Sequence, residues 1–388
     1  MGCQNKLMVG WVLCILLITT LAQAEIPREE PSAVPRVQLD EPQTSKNQTA
    51  DVGQQRSREQ VLALIEQASK TKPDWWDSVP LTYPKTLDLS YPAPGKRKWD
   101  PKKNVGQFMW GVINENANRF HDGTKFMHYV HSLNKDNPDV TSRTMRQLGH
   151  CYHDLLQDWA RAAYWLKKSN GPPVKLANAY WQLGSKAMAT EILERIGSDY
   201  SDHGAAIKLW SDMGELDSAL QLAKQSKDPR NKGGPYRAAG DALQRHGHFD
   251  EALVYYQKVL EIGSRFLASF MNKNETLKLN QNHAKAAIES IQIFKLFDIN
   301  KLRDGSYADK AMGYSGEVHI QTTVKDHRIE SLKVTQHKEQ QYYSSLTDMP
   351  AKIIAQQDIR DIDATTGATV TADAIRIATA KALQQARN

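Results

Sequence analysis

Cysteine is scarce in this 388-residue chain, and the three cysteine positions exclude several kinds of cofactor. Cys14 lies in an apolar N-terminal segment and Cys3 precedes that segment, within the predicted signal, which leaves Cys151 alone in the rest of the chain. A single thiol cannot form an internal disulfide, so the folded part must rely on packed cores. There is also no Cys-x-x-Cys-His haem site and no cysteine cluster for iron–sulfur. Any redox chemistry therefore needs a cofactor that is held in another way.

The motifs of common hydrolases, nucleotidases and metalloproteases are absent as well. The chain contains no Gly-x-Ser-x-Gly elbow, no phosphate-binding loop with lysine and no His-Glu-x-x-His. Three histidine groups could be drawn as metal ligands: His128 with His131, His150 with Cys151 and His153, and His246 with His248. None has an accompanying carboxylate or a second cysteine pair at metal-site spacing. We therefore expect packed or solvated histidines and no metal site.

A strong charge of one sign is missing too. The formal net charge is +6, and no long Lys/Arg tract dominates the sequence. The densest basic run, Lys96-Arg97-Lys98 followed by Lys102-Lys103, lies among prolines and a glycine. This setting favours a solvated connecting loop, and we expect no nucleic-acid partner.

The N-terminus has the pattern of an export signal. The stretch from Leu7 to Leu21 is almost entirely apolar, and Ala22-Gln23-Ala24 has the small-x-small form that signal peptidase requires. We predict a signal peptide over residues 1–24 and a protein of the periplasm or cell envelope. The alternative is an uncleaved anchor, which leaves membrane association open. Residues 25–55 are rich in Pro, Glu, Gln, Ser and Thr, and predict a flexible linker.

Helical periodicity begins near Arg58 and continues, with an irregular stretch rich in proline and tryptophan, to about residue 140. Residues 141–300 then show a degenerate internal repeat. Gly184, Gly214 and Gly247 are thirty and thirty-three residues apart, and each lies five residues before an alanine. We expect each glycine to end a helix in the left-handed conformation and each alanine to let the next helix approach closely.

An earlier unit, with Leu148-Gly149-x-x-Tyr152 and Ala162, fits the same template with one residue inserted. The best copy runs from Ala239-Gly240-x-x-Leu243 through Gly247, Phe249, Ala252, Tyr256 and Leu260. This pattern resembles the tetratricopeptide repeat, whose units are antiparallel helix pairs of about 34 residues. The alternative is an unspecialised helical bundle. Residues 283–298 form a further helical pattern, which we take as a connector.

After Gly305 the hydrophobic period changes from helical to alternating. Val318, Ile320, Thr322 and Val324 predict one face of a strand, Lys325-Asp326-His327 a turn, and Ile329, Leu332 and Val334 a second strand with a bulge. A helix is expected around Ala351–Gln357, and an Ala-rich helix ends the chain.

The sequence Asp363-x-x-Thr366-Gly367-Ala368-Thr369 lies before that last helix. Thr371 could cap the helix and Asp373 suits its first turn. Free backbone amides at such a helix start form a natural phosphate site, although these facts alone support only an anion site or an ordinary cap.

This sequence resembles the flavinylation motif of the FMN-binding domain family. The family includes the C subunit of sodium-translocating NADH:quinone reductase and the G subunit of the Rnf complex. The opening Asp304-Gly305-x-Tyr307 and the loop Gly313-Tyr314-Ser315-Gly316 are also similar to the family's layout. The resemblance covers residues 301–388.

The resemblance implies that Thr369 carries FMN as a phosphoester. It implies that a separate flavin transferase takes FMN from FAD with a metal ion and releases AMP. Thr366, Gly367 and Ala368 would shape the turn around the phosphate, and Asp363 would complete the transferase's recognition element. Thr365 departs from the family pattern, so the esterified hydroxyl could also belong to Thr365, Thr366 or Thr371.

The sequence thus predicts a multidomain protein, with an all-α, tetratricopeptide-like array followed by a small α+β FMN-binding domain. We expect an electron-transfer relay rather than a self-contained enzyme, with the helical repeats docking redox partner proteins. Two alternatives remain: a flavin-dependent oxidoreductase acting on a specific small substrate, and a repeat scaffold with a vestigial flavin domain.

Overall fold

The computed structural model describes most of the chain beyond the predicted linker, and all described residues belong to one compact unit. They are 55–92, 99–197, 200, 202–226, 233–266, 275–295, 297–313, 316–339, 344–360, 362 and 369–387. The signal segment 1–24 and nearly all of the linker lie outside this set. So do Tyr314, Asp363, Thr366, Gly367 and Ala368, while Thr369 is described by its backbone only.

Helix α1 (Arg58–Lys70) begins at a capping box, in which the Ser57 hydroxyl accepts from the Gln60 amide and the Gln60 side chain accepts from the Ser57 amide. Its buried residues Val61 and Ile65 pack in one cluster with Ala163 and Tyr180 of the following helices. Between Lys70 and Val105 the described residues form turns and no helix, as the prolines predict.

The first helical units follow as α2 (Val105–Phe108), α3 (Phe120–Leu133), α4 (Pro138–His150) and α5 (Trp159–Lys168). Helix α4 continues into a π-helical turn over Cys151–Leu155, where the Leu156 amide donates to the Cys151 carbonyl. A π-turn accommodates one extra residue inside a helix. It therefore absorbs the residue by which this unit exceeds the repeat template.

Three antiparallel helix pairs form the centre of the molecule: α6 (Pro173–Gln182) with α7 (Lys186–Leu193), α8 (His203–Asp212) with α9 (Leu216–Gln225), and α10 (Gly234–Arg245) with α11 (Phe249–Phe266). Gly184, Gly214 and Gly247 have φ angles of 92°, 80° and 76° between the helices of each pair. Ala189, Ala219 and Ala252 are fully buried. The helical array and both roles expected from its glycines and alanines are confirmed, while the likeness to tetratricopeptide repeats remains a resemblance.

After α12 (Glu275–Lys295) the chain enters a three-stranded antiparallel sheet of β1 (Gly305–Met312), β2 (Glu317–Lys325) and β3 (Arg328–Gln336), in the order β1-β2-β3. The predicted face of β2 is buried, with Val318, Ile320, Thr322 and Val324 each at most 1% exposed. Asp326 and His327 form the predicted turn with positive φ angles. The register shifts between Thr323 and Val324 show the expected bulge.

Three features of this region differ from the sequence prediction. Strand β1, at residues 305–312, was expected only as an opening before the first strand. Helix α13 (Ser344–Gln356) begins seven residues earlier than Ala351 and contains Pro350. Helix α14 (Thr369–Gln385) begins at Thr369, so Thr371 lies inside the first turn and does not cap the helix. Local patterns mark helix ends poorly where packing on a sheet extends the helix.

The sheet and helices α13 and α14 share one hydrophobic core with the end of α12. Ile293, Phe294 and Phe297 belong to the same buried cluster as Ile320, and Ile375 of α14. The C-terminal α+β module is therefore packed directly against the helical array. No helix among the described residues combines the length and apolar character needed to cross a membrane.

Candidate functional site

The tight turn before β2 is built around two glycines that the sequence singled out. The Gly313 amide donates to the Gly316 carbonyl over 2.7 Å. A Cβ at Gly313 would lie 2.3 Å from Glu339 Oε1, and a Cβ at Gly316 would lie 3.1 Å from Lys338 Cβ. A side chain at Gly313 would therefore overlap with the buried Glu339, whereas one at Gly316 would require only a small shift of Lys338.

Glu339 connects this turn to the start of α14. Its carboxylate is 4% exposed, and Oε2 accepts a hydrogen bond of 2.7 Å from the Thr371 hydroxyl. A carboxylate at a helix N-terminus also complements the helix dipole. The structure thus brings Gly313, Gly316 and the first turn of α14 into one site. Sequence reasoning missed Glu339, because no motif in the polar stretch after β3 marks it.

The opposite face of the same helix turn carries Asp373 and Arg376. Arg376 donates to Asp373 Oδ1 over 3.2 Å and to the Arg360 carbonyl over 3.1 Å. Burial raises the pKa of the Asp373 carboxyl, and the adjacent Arg376 opposes that shift. The guanidinium of Arg376 lies 5.1 Å from the ring of Phe294 in α12. This face of α14 therefore meets the helical array, whereas the Thr371 face meets the sheet.

The array places charged side chains next to this face. The Tyr256 hydroxyl donates to Asp241 over 2.9 Å, and Arg237 is paired with the same Asp241 over 2.5 Å. Burial raises the pKa of Tyr256 well above its usual value, and nearby Asp241 and Asp373 raise it further. Tyr256 therefore stays protonated and acts as a hydrogen-bond donor beside α14.

The start of α14 can hold a phosphate. The amides of the first four residues of a helix have no intrahelical acceptor, and the positive end of the helix dipole favours an anion. Arg376 Nε is buried without a hydrogen-bond partner among the described residues. Arg360, close by, adds a partly exposed cation, with its side chain 47% exposed. These donors fit a phosphorylated flavin bound at this end of the helix.

The histidine groups of the N-terminal helices have structural partners. His150 and His153 both bond Asp154, which Lys175 also contacts. Burial would raise the pKa of Asp154, but His153 and His150 hold it well below its usual value. The expectation that no carboxylate accompanies His150 and His153 is therefore wrong, because Asp154 follows in the same π-turn. His128 bonds the Tyr152 hydroxyl over 2.9 Å. Within the described residues no cluster of three His, Cys, Asp or Glu side chains could hold a metal ion.

Comparison with known proteins agrees with the site at α14. Residues 313–384 match the model of the FMN-binding domain family. A protein from Treponema pallidum (strain Nichols), described as uncharacterized, is 33% identical over 87 residues, which cover 22% of this chain and 24% of that protein. The chain thus matches about a quarter of the relative's length. No solved structure matches the chain. Residues 313–384, which contain the turn at Gly313, Glu339 and most of α14, therefore form an FMN-binding domain.

Proposed function

We propose that this chain is an exported electron-transfer flavoprotein that carries FMN covalently on Thr369. The observation that carries the proposal is that the sequence Asp363-x-x-Thr366-Gly367-Ala368-Thr369 ends at the first residue of α14, within the FMN-binding domain. A helix start is where backbone amides can hold the phosphate of the esterified flavin.

The contacts of Thr371 support Thr369 as the acceptor. Thr371 is 2% exposed, and its hydroxyl is committed to Glu339. Esterification of Thr371 would remove this bond and require a phosphate inside the packed core. Of the other candidates, Thr365 and Thr366 lie outside the described residues.

In the attachment reaction, the Thr369 hydroxyl oxygen would form a phosphoester with the FMN phosphorus of FAD. The pyrophosphate bond of FAD would break, AMP would leave, and the hydroxyl would lose its proton. A flavin transferase with a metal ion would catalyse this step. The bound flavin supplies one- or two-electron transfer, while the chain positions it and sets the surrounding charge.

Export and docking complete the proposal. The apolar segment Leu7–Leu21 with Ala22-Gln23-Ala24 supports cleavage before Glu25 and a location in the periplasm or cell envelope. The helical array offers a surface for a redox partner protein, as stacked helix pairs commonly do. N-terminal sequencing of protein from the native envelope tests the export step, and a start at Met1 in a membrane fraction would show a retained anchor.

The decisive experiment measures intact mass and visible spectrum after co-expression with a flavin transferase. We expect one FMN per chain, resistant to denaturation, and its loss in Thr369→Ala. Thr371→Val serves as the matched control: it should keep the flavin but lose about 1–3 kcal/mol of stability, because the buried Glu339 carboxylate loses a donor.

Covalent flavin in Thr369→Ala would move the attachment to Thr365, Thr366 or Thr371. A colourless wild-type protein would support a scaffold with a vestigial flavin domain. Steady-state turnover of an identified small acceptor would favour a self-contained oxidoreductase.

A further inference from the structure

A cavity of about 470 Å³ lies between the helical array and Arg360 of the C-terminal module. Gly214 and Gly247, from the turns of two successive helix pairs, line one side, and Arg360 lines the other. A Cβ added to either glycine would meet no atom within 4 Å, so open space lies above both turns. The volume is within the range of pockets that bind small ligands and cofactors, roughly 300–1,000 Å³.

One face of α14 carries residues that interact with residues of the cavity lining. Positions 369, 373 and 376 share a helix face because they are spaced by four and three residues. The Asp373 carboxylate interacts electrostatically with Arg245, and Arg376 donates to the Arg360 carbonyl. Arg245 and Arg360 both line the cavity. The backbone of residue 369 is only about 6 Å along the helix axis from Asp373.

The lining suits a flat, electron-accepting ring. Phe249 contributes an aromatic ring, and Arg360 contributes a guanidinium that is 47% exposed although it is paired with Asp358. Aromatic and guanidinium planes both stack on ring systems. Arg245, paired with Asp212 over 2.5 Å, and His246 complete the wall from the array. A positive charge beside the ring stabilises its reduced, anionic form.

We propose that this cavity holds the isoalloxazine ring of the flavin attached at Thr369, so that the helical array forms one wall of the flavin site. This inference rests on the proposed function, since it requires flavin at the start of α14. It assigns to the array a role beyond partner docking. The array then controls both the reduction potential of the flavin and the access of other molecules to it.

The test uses the full chain, flavinylated by co-expression with a flavin transferase, with one variant on each side of the cavity. Arg360→Gln removes a cation from the module side, and His246→Glu adds an anion from the array side. Both side chains are partly or largely exposed, so the fold should tolerate the changes. Each variant has a matched control. His248→Glu alters the same turn outside the cavity lining, and Arg195→Gln alters another exposed arginine with a carboxylate partner.

We expect the midpoint potential of the flavin to become more negative in Arg360→Gln and His246→Glu, to shift less in His248→Glu, whose side chain is outside the lining, and to stay unchanged in Arg195→Gln, because an exposed charge on another helix pair is screened by solvent and salt. We also expect iodide to quench the fluorescence of the attached flavin less than that of free FMN.

Attached flavin whose potential is the same in wild type and both cavity variants would overturn the inference and leave the proposed function standing. A wild-type protein without covalent flavin would overturn both. Intact mass therefore separates the two failures before any potential is measured.

Discussion

Phe294 is a fully buried side chain that α12 contributes to the core of the FMN-binding domain. It is fully buried in the cluster that contains Ile320 and Ile375, and the Arg376 guanidinium lies over its ring at 5.1 Å. Replacing a buried phenylalanine by alanine costs about 3–5 kcal/mol through lost transfer free energy and the cavity left behind. Loss of the contact with Arg376 adds about 0.5–2 kcal/mol. We therefore expect Phe294→Ala to destabilise the FMN-binding domain although residue 294 lies in the preceding helix.

The chain offers separate probes for its two parts. All nine tryptophans lie at or before Trp210, so tryptophan emission reports the helical array, whereas the attached flavin reports the C-terminal module. Urea unfolding followed by both signals should give coincident transitions in wild type, and both should move to lower urea in Phe294→Ala.

Phe126→Ala is the matched control, because Phe126 is equally buried but belongs to the N-terminal cluster. Phe126→Ala should lower the free energy of unfolding by a similar amount, because the contacts that it removes lie in the N-terminal cluster and do not involve α14. A flavin signal that unfolds at the same urea concentration in Phe294→Ala as in wild type would refute the shared core, whatever happens to the tryptophan signal.

Two further predictions concern the helical array. A Cβ at Gly240 would lie 2.6 Å from Tyr256 Cε1, and the Tyr256 hydroxyl is held by Asp241 and Gln244. We expect Gly240→Ala to lose about 1–3 kcal/mol in urea unfolding. Gly197→Ala, which meets nothing within 4 Å, should lose almost nothing, and equal stability of the two variants would contradict this packing. Burial lowers the pKa of His128 to about 4, so the unfolded chain binds a proton between pH 6.5 and pH 4 that the folded chain does not. The free energy of unfolding should therefore fall by up to about 3 kcal/mol as the pH drops through this window. His128→Gln should abolish this part of the pH dependence. A similar pH dependence should remain from His283, whose pKa burial also lowers to about 4. An unchanged pH dependence in His128→Gln would argue against the assignment.

Much of the fold was predictable because local chemistry dictates it. Gly184, Gly214 and Gly247 take left-handed conformations that disfavour other residues, and this requirement is visible in the sequence as a spacing. The buried alternation of Val318, Ile320 and Val324 is equally local, since neighbouring strand residues point to opposite faces. The residue inserted before Ala162 is also accommodated locally, in the π-turn at Cys151–Leu155.

The candidate site was predictable only in part. The acceptor motif and the Gly313-x-x-Gly316 loop are contiguous segments, so a resemblance could identify them. Glu339 could not be found, because its contacts with Gly313 and Thr371 join segments more than twenty residues apart. Asp154 was missed although it adjoins His153 and follows His150 at the i, i+4 spacing of a helix, because the sequence alone does not show that these side chains meet in the structure.

The sequence by itself determined the two kinds of architecture, the residue at which one changes to the other, and the resemblance of the last ninety residues to a flavin domain. Each of these depends on periodicity or on a contiguous motif. The tertiary structure decided that Phe294 and Phe297 join the core of the FMN-binding domain, that the Thr371 hydroxyl donates to Glu339, and that Arg245 and Arg360 line the same cavity. Such contacts depend on how helices and sheet pack over long sequence separations, and no local pattern records that packing.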